Sequence, residues 1–367
     1  MTSRRTRLRL ALFSAAVTLL ACALLLAGYA YARARAFRDL DVVLEGDYGV
    51  EFDPEIGFVP ARDAATVRRH PRSGLAYHVF TSDRRARVGR RGERTAPEVG
   101  LLSLGDSYGW GHGVESDQTY TSLLARRWAT PAANLAFAAY GTVQSLEMLR
   151  RSLDLRPRLV LYDFIADHMR RNASPCAPAY GTLCLPWSHM GVNGDGQPVV
   201  RPAEPGLFEI NRRFARDFFF TKSLGPRQVL TAAEAEWVRF ARTPRGEVPD
   251  DPAMRQRILE RLLGDMAGAA ASVGAPLLVV HIPQFLGRGQ SSPVPAPLRG
   301  ALDRLRASNL QFLDLGPAVA RHYADPAAGS LSFEHDGHPN PAAHALFAET
   351  IDGFLRQKGL VPAASAR

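Results

Sequence analysis

The chain has 367 residues, 46% of them hydrophobic, which is enough to bury a sizeable core and unlike the composition of a disordered polymer. Its formal charge of +9 is lopsided, because residues 1 to 38 carry seven arginines and no acid while the remainder holds 38 basic against 36 acidic residues. A nearly neutral body excludes a protein built to coat nucleic acid, which needs a broad basic face with stacking aromatics; the dense cluster from Arg84 to Arg94 fits a solvated face or one facing lipid headgroups.

Arg4, Arg5, Arg7 and Arg9 precede an uncharged stretch from Leu10 to Ala32. At ~1.5 Å per residue it is long enough to cross a ~30 Å hydrocarbon core, and it exceeds the ~7–15 apolar residues of a cleaved signal peptide. The expectation is therefore an uncleaved anchor. Residues 1–35 form a cytoplasmic N-terminus and transmembrane helix, residues 10–32 contact the membrane, and the rest of the chain faces the periplasm or the extracellular side of an inner membrane. Two other readings stay open. Leu19-Leu-Ala-Cys22 matches a lipoprotein cleavage box, although the apolar run continues to Gly28, and Ser3-Arg4-Arg5 is a fragment of a twin-arginine signal with Arg7 where an aromatic is preferred.

Residues 36–95 are expected to be an extension packing on a catalytic domain that spans 96–357. Within that domain, apolar strand candidates at Val99–Leu104, Leu159–Ile165, Pro276–Ile282 and Gln311–Leu315 alternate with helical stretches at Gln118–Trp128, Leu146–Leu153, Met254–Val273 and Ala342–Gln357. The alternation predicts an α/β fold of three layers, α/β/α, with a central parallel sheet and loops for chemistry at the carboxyl ends of its strands. Residues 358–367 are expected as a flexible tail.

The first strand ends abruptly at Gly105-Asp106-Ser107, with Tyr108-Gly-Trp-Gly-His-Gly-Val114 beyond it. Glycine supplies the backbone freedom of a sharp strand-to-helix turn that presents one serine. The alternative is that Asp106 and Ser107 simply cap the helix, as such residues commonly do. A serine nucleophile would need a base and donors for a developing oxyanion elsewhere in the chain.

Further along, Cys176 and Cys184 bracket a Pro- and Gly-containing loop, where a disulfide suits an oxidising compartment and two buried thiols are the alternative. Residues 173–250 break the strand-helix alternation and read as an insertion near the active site, a lid or a substrate wall. Within it, Phe218 to Phe220 fit ordinary core, and Asn193-Gly-Asp195 fits a turn, lacking the spacing of a calcium loop. In the last segment, Phe333-Glu-His-Asp-Gly-His-Pro-Asn-Pro-Ala-Ala-His344, Asp336 stands two residues before His338. An Asp so placed can hold one ring nitrogen and leave the other to take a proton; imidazole, titrating near pH ~6.5, suits that task. The cluster lacks the helical His-x-x-x-His pair and cysteines of a zinc site, so no metal and no cofactor is expected.

Taken together, Gly105-Asp-Ser107, Asn134-Leu-Ala-Phe-Ala-Ala-Tyr-Gly141 and Asp336-Gly-His338-Pro-Asn resemble, in order and spacing, the blocks of the SGNH or GDSL-type hydrolases over residues 96 to 355. Asp53-Pro-Glu-Ile-Gly-Phe58 and Phe80-Thr-Ser-Asp-Arg-Arg85 are similar to the upstream segment of bacterial exported members. The resemblance implies a flavodoxin-like fold, Ser107 as nucleophile, His338 as base, Asp336 as its orienting acid, and the amides of Ser107 and Gly141 as oxyanion donors. Two departures stand out. The third block, where the family places Gly-x-Asn-Asp, reads Ile165-Ala-Asp-His168 here, so Ala166 replaces an oxyanion donor and His168 or Asn172, or else Arg171, is the candidate substitute. The usual acid position, three before the histidine, is His335, which leaves Asp336 in the acid role and Glu334 as a weaker candidate. The implied activity is a serine esterase acting on O-acyl, notably O-acetyl, esters of an envelope or exported polysaccharide. Its partners would be the acylated carbohydrate or small ester and the membrane, with no nucleic acid. An O-acyltransferase using the same serine, or a catalytically silent glycan-binding envelope protein, are the alternatives.

Overall fold

Four consecutive buried residues, Leu101–Leu104, form a strand covered on both faces and paired in parallel with Ala132–Asn134 on one side and Leu159–Phe164 on the other. Period-two alternation divides its neighbours between two cores. Val160, Tyr162, Leu277 and Val279 face the helices Thr142–Arg150, Pro252–Ala271 and Ala296–Arg304, whereas Leu159, Leu161, Leu278 and Val280 face Tyr120–Trp128, Gly316–Ala324 and Pro341–Lys358. The chain thus adopts the three-layer α/β/α arrangement, and each fully buried Leu or Phe in these layers contributes about 1.5–3 kcal/mol. These relations come from a computed structural model, which describes residues 4–38, 43–46, 49–69, 74–177, 185–203, 251–284, 292–334 and 336–363.

The parallel strands run in the spatial order Ala132–Asn134, Leu101–Leu104, Leu159–Phe164, Leu277–His281, Leu310–Asp314. Numbered along the chain this is 2-1-3-4-5, the doubly wound order whose crevice opens beyond the carboxyl end of the first strand. Ser107 follows that strand directly. The sheet is not purely parallel, however. Residues expected as a separate extension supply four antiparallel strands, Val43–Gly46, Ala65–Arg69, Ala76–Thr81 and Arg87–Val88, which continue it past Ala132–Asn134 to nine strands in all. Short polar-alternating strands of this kind carry a weak apolar signal, which hides their pairing in the sequence.

Helix starts follow local chemistry. Asn340 caps Pro341–Lys358 by accepting from the Ala343 amide at 3.1 Å, and Gly359 closes it with a left-handed residue. Asp352 on that helix accepts from Trp128 Nε1 at 2.7 Å and from Arg127 at 3.1 Å, tying the C-terminal helix to Tyr120–Trp128. The helix expected from Leu146 begins earlier, at Thr142, immediately after Gly141.

Of the insertion, the described residues form a hairpin, His189–Val192 with Pro198–Arg201, and a short pair, Cys176–Ala177 with Leu185–Pro186. Asn193 Oδ1 accepts from the amides of Asp195 at 3.1 Å and Gln197 at 2.8 Å, so this stretch is the hairpin turn. Cys176 opens the short pair, while Cys184, its expected disulfide partner, and Phe218 to Phe220 lie outside the described residues. At the N-terminus, Arg4–Arg38 is one helix, of which Thr6–Tyr29 is long and apolar enough to cross a membrane, with Cys22 exposed inside it.

Candidate active site

Gly105 adopts φ +141°, and a Cβ there would lie 1.7 Å from Asp163 Oδ1; a Cβ on Gly109 would lie 2.1 Å from the same atom. The turn therefore wraps two glycines around the Asp163 carboxyl, which accepts from the Tyr120 hydroxyl at 3.0 Å and the Asp106 amide at 3.3 Å. Burial, and after it the negative charge of Asp106, pushes the Asp163 carboxyl well above its ordinary value. Asp106 caps the short helix Ser107–Trp110 by accepting from the Tyr108 amide at 2.9 Å.

Burial would raise Asp106 too, but the charge of Arg171, whose guanidinium donates to Oδ2 at 2.7 Å, and the nearby His168 outweigh it and hold the carboxylate well below its usual range. Arg171→Met should cost about 3–5 kcal/mol, because it strands a buried charge. A lowered folded-state pKa means the pair's contribution is present above the unfolded value of ~3.9 and is lost as pH falls below it. Urea unfolding of the wild type and Arg171→Met at pH 7 and pH 3 should show the difference between them shrinking in acid.

Ser107, 7% exposed, presents Oγ to His338 Nε2 at 2.8 Å, and His338 Nδ1 donates to Asp336 Oδ1. The structure brings together three side chains separated by up to 231 positions in sequence. Tyr108 supports the loop, donating to the Gly337 carbonyl at 3.2 Å and meeting the His338 ring edge-on at 5.4 Å. Glu334 is exposed, and His335 lies outside the described residues.

A fourth group enters that sequence reasoning missed. His112 Nε2 lies 3.0 Å from Asp336 Oδ2, and its ring stacks on His338 at 4.3 Å between centroids. Burial would raise Asp336, but hydrogen bonds from His112 and His338 dominate and keep it ionised far below the usual carboxylate range. The only sequence signal for His112 was its position five residues after Ser107 in a glycine-rich loop. His112, Asp336 and His338 offer ligand atoms within 4.8 Å of one another, the spacing a metal ion would use. These side chains are engaged with one another and with Tyr77 and Ser107 in hydrogen bonds.

The oxyanion side differs from expectation. The Ser107 amide has no hydrogen-bond partner among the described residues. The Gly141 amide instead donates to Gln144 Oε1 at 3.0 Å, closing a cap on helix Thr142–Arg150. Both side chains proposed as substitutes for the missing Asn are engaged with other partners. Asn172 is buried, its Oδ1 accepting from the Thr142 amide at 2.7 Å and its Nδ2 donating to Thr142 Oγ1 at 2.9 Å. His168 is buried between the Tyr162 hydroxyl at 2.8 Å and Asp106 at 3.4 Å. Arg171 is spent on Asp106, Asp167 and the Tyr140 carbonyl. These three side chains brace the turn rather than line it.

No protein-family model and no curated protein matches the chain. Among solved structures it is similar to TesA, at 15% identity and a TM-score of 0.35 over 70% of this chain and 98% of that one. It is also similar to a salicylyl-acyltransferase from a tetracycline biosynthetic pathway, at 16% identity and 0.37 over 88% and 76%. An acetyl xylan esterase from the rumen bacterium Butyrivibrio proteoclasticus stands at 10% and 0.36 over 74% and 66%. Likeness this distant identifies neither an activity nor a substrate for this chain.

Proposed function

We propose that this chain is a serine esterase of the SGNH type that removes O-acyl groups, acetyl foremost among them, from an envelope or exported polysaccharide. One observation carries the reading: Ser107 Oγ is 2.8 Å from an imidazole nitrogen whose ring is held from the other side by an ionised, partly buried aspartate. A protein that only bound glycans would have no need of that alignment.

In the proposed cycle Ser107 passes its proton to His338 Nε2 as Oγ bonds to the ester carbonyl carbon. Asp336 holds the imidazolium that forms. The oxyanion takes the Ser107 amide and, by displacing Gln144 Oε1, the Gly141 amide, each such donor being worth about 3 kcal/mol. His338 then protonates the departing sugar oxygen, leaving the acyl group on Ser107. Water gives a proton to His338 and attacks that acyl carbon, and the free acid leaves as Ser107 recovers its proton. The apolar span Thr6–Tyr29 supports an anchored protein, with Cys176 and Cys184 as candidates for a disulfide in an oxidising compartment outside an inner membrane.

The test uses full-length protein in detergent with 4-nitrophenyl acetate and a panel of acetylated polysaccharides. Acetate release should fall at least about a thousandfold in Ser107→Ala. Equal release by that variant would overturn the assignment. Running the wild type with an unacylated glycan present separates hydrolysis, which yields free acid, from transfer, which yields a newly acylated acceptor.

A further inference from the structure

We infer that His112 is a positioning residue of this site, locking the Asp336 carboxylate in register with His338 through a hydrogen-bond chain anchored in the antiparallel part of the sheet. The inference rests on the reading of Ser107 as the nucleophile.

The chain is fixed by donor and acceptor chemistry. A carboxylate only accepts, so the His112 Nε2 facing Asp336 Oδ2 at 3.0 Å carries the proton. A neutral imidazole then has Nδ1 free to accept, and Tyr77 places its hydroxyl there at 3.2 Å. Burial, and then the charge on His338, push His112 down to about 4, so it stays neutral where an esterase works, although Asp336 pulls the other way. The sequence of contacts runs Tyr77, His112, Asp336, His338, Ser107. Its two imidazoles lean on each other at an interplanar angle of 31°, and the Tyr77 ring meets His112 edge-on at 5.7 Å.

The loop bearing His112 is clamped by the neighbouring strands. Arg87, buried on Arg87–Val88, donates to the Trp110 carbonyl at 2.5 Å and also to the carbonyls of Gly111 and Val114. Those oxygens lie on either side of His112. The His78 amide donates to Glu115 at 3.0 Å, and Phe333 packs where a Cβ on Gly113 would sit. Tyr77 and His78 both belong to strand Ala76–Thr81. Three side-chain or backbone groups from residues 77–87 thus hold one loop, and the group this loop delivers to the triad is an imidazole N–H. With both carboxylate oxygens engaged, Asp336 cannot rotate away from His338.

The test compares His112→Phe, which keeps a ring against His338 but has no donor, with His112→Gln, whose amide can donate to Asp336. Both are made in the full-length protein and assayed on 4-nitrophenyl acetate, with thermal unfolding in parallel. Expected for His112→Phe is a kcat about 30-fold down, the worth of one hydrogen bond to a charge, with KM within about twofold. His112→Gln should recover to within about threefold of wild type, and Tyr77→Phe should lose a few-fold through the freed tautomer. Wild-type kcat in His112→Phe would overturn the inference while leaving the esterase reading intact. Equal losses in both His112 variants, tracking a common fall in melting temperature, would overturn it in favour of a packing role. A wild type without Ser107-dependent turnover would remove the premise and the inference with it.

Discussion

Replacing His338 with alanine should lower ester turnover by about four orders of magnitude while leaving the fold in place. The Ser107 hydroxyl would then have no acceptor aligned with it, since the imidazole nitrogen at 2.8 Å is the group that takes its proton. The His338 side chain is 25% exposed, so removing it opens solvent rather than a sealed cavity, and stability should change little. Asp336→Asn should approach the same loss by another route, because an amide in that place presents a donor to His338 Nδ1 and selects the wrong tautomer. Initial rates with 4-nitrophenyl acetate, together with an unchanged melting temperature, check both. Rates within tenfold of wild type in either variant would contradict the roles assigned.

The second large effect is structural. Gly105→Ala should cost more than about 4 kcal/mol, enough to unfold the domain or leave it insoluble. Two penalties coincide there: φ of +141° is closed to residues with a Cβ, and that Cβ would overlap Asp163 Oδ1. Asp163 has little room to retreat, being held by the Tyr120 hydroxyl at 3.0 Å and the Asp106 amide at 3.3 Å. Gly353→Ala is the matched control, since nothing lies within 4 Å of its Cβ and it sits inside a helix, where alanine is favoured. Urea denaturation should show Gly353→Ala at or above wild-type stability and Gly105→Ala far below it, and equal midpoints would refute the account of the turn.

The meeting of Ser107, His338 and Asp336 was legible in the sequence because these residues sit in short local motifs: a glycine turn presenting a serine, and an Asp two residues ahead of a His. Strands Leu101–Leu104, Leu159–Phe164, Leu277–His281 and Leu310–Asp314 were legible because parallel strands covered on both faces read as plain apolar runs. Strand Ala132–Asn134, with three residues, gave no such run. What stayed hidden depends on pairings far apart in sequence. Nothing near Asp106 announces that Arg171, 65 positions on, neutralises it, so Arg171 read as an oxyanion donor. Asn172 looked free for the same reason until its partner, Thr142, came to lie beside it. Gln144 looked like ordinary helix, yet its side chain reaches back to the Gly141 amide. His112 needed the whole sheet: its acceptor, Asp336, and its donor, Tyr77, arrive from opposite ends of the chain.

These long-range pairings also explain why the departure at Ala166 is compatible with an intact nucleophile turn. The side chains that follow it, His168, Arg171 and Asn172, hold Asp106 and the start of helix Thr142–Arg150, the two elements that carry Ser107 and Gly141.

The central claim is that Ser107 is a nucleophile activated by His338. Incubating the full-length protein with a fluorophosphonate probe, followed by peptide mass spectrometry, tests it most directly. The account predicts one adduct on Ser107, absent in Ser107→Ala and formed far more slowly in His338→Ala; a wild type that stays unlabelled, or one labelled equally with Ser107 removed, would contradict it.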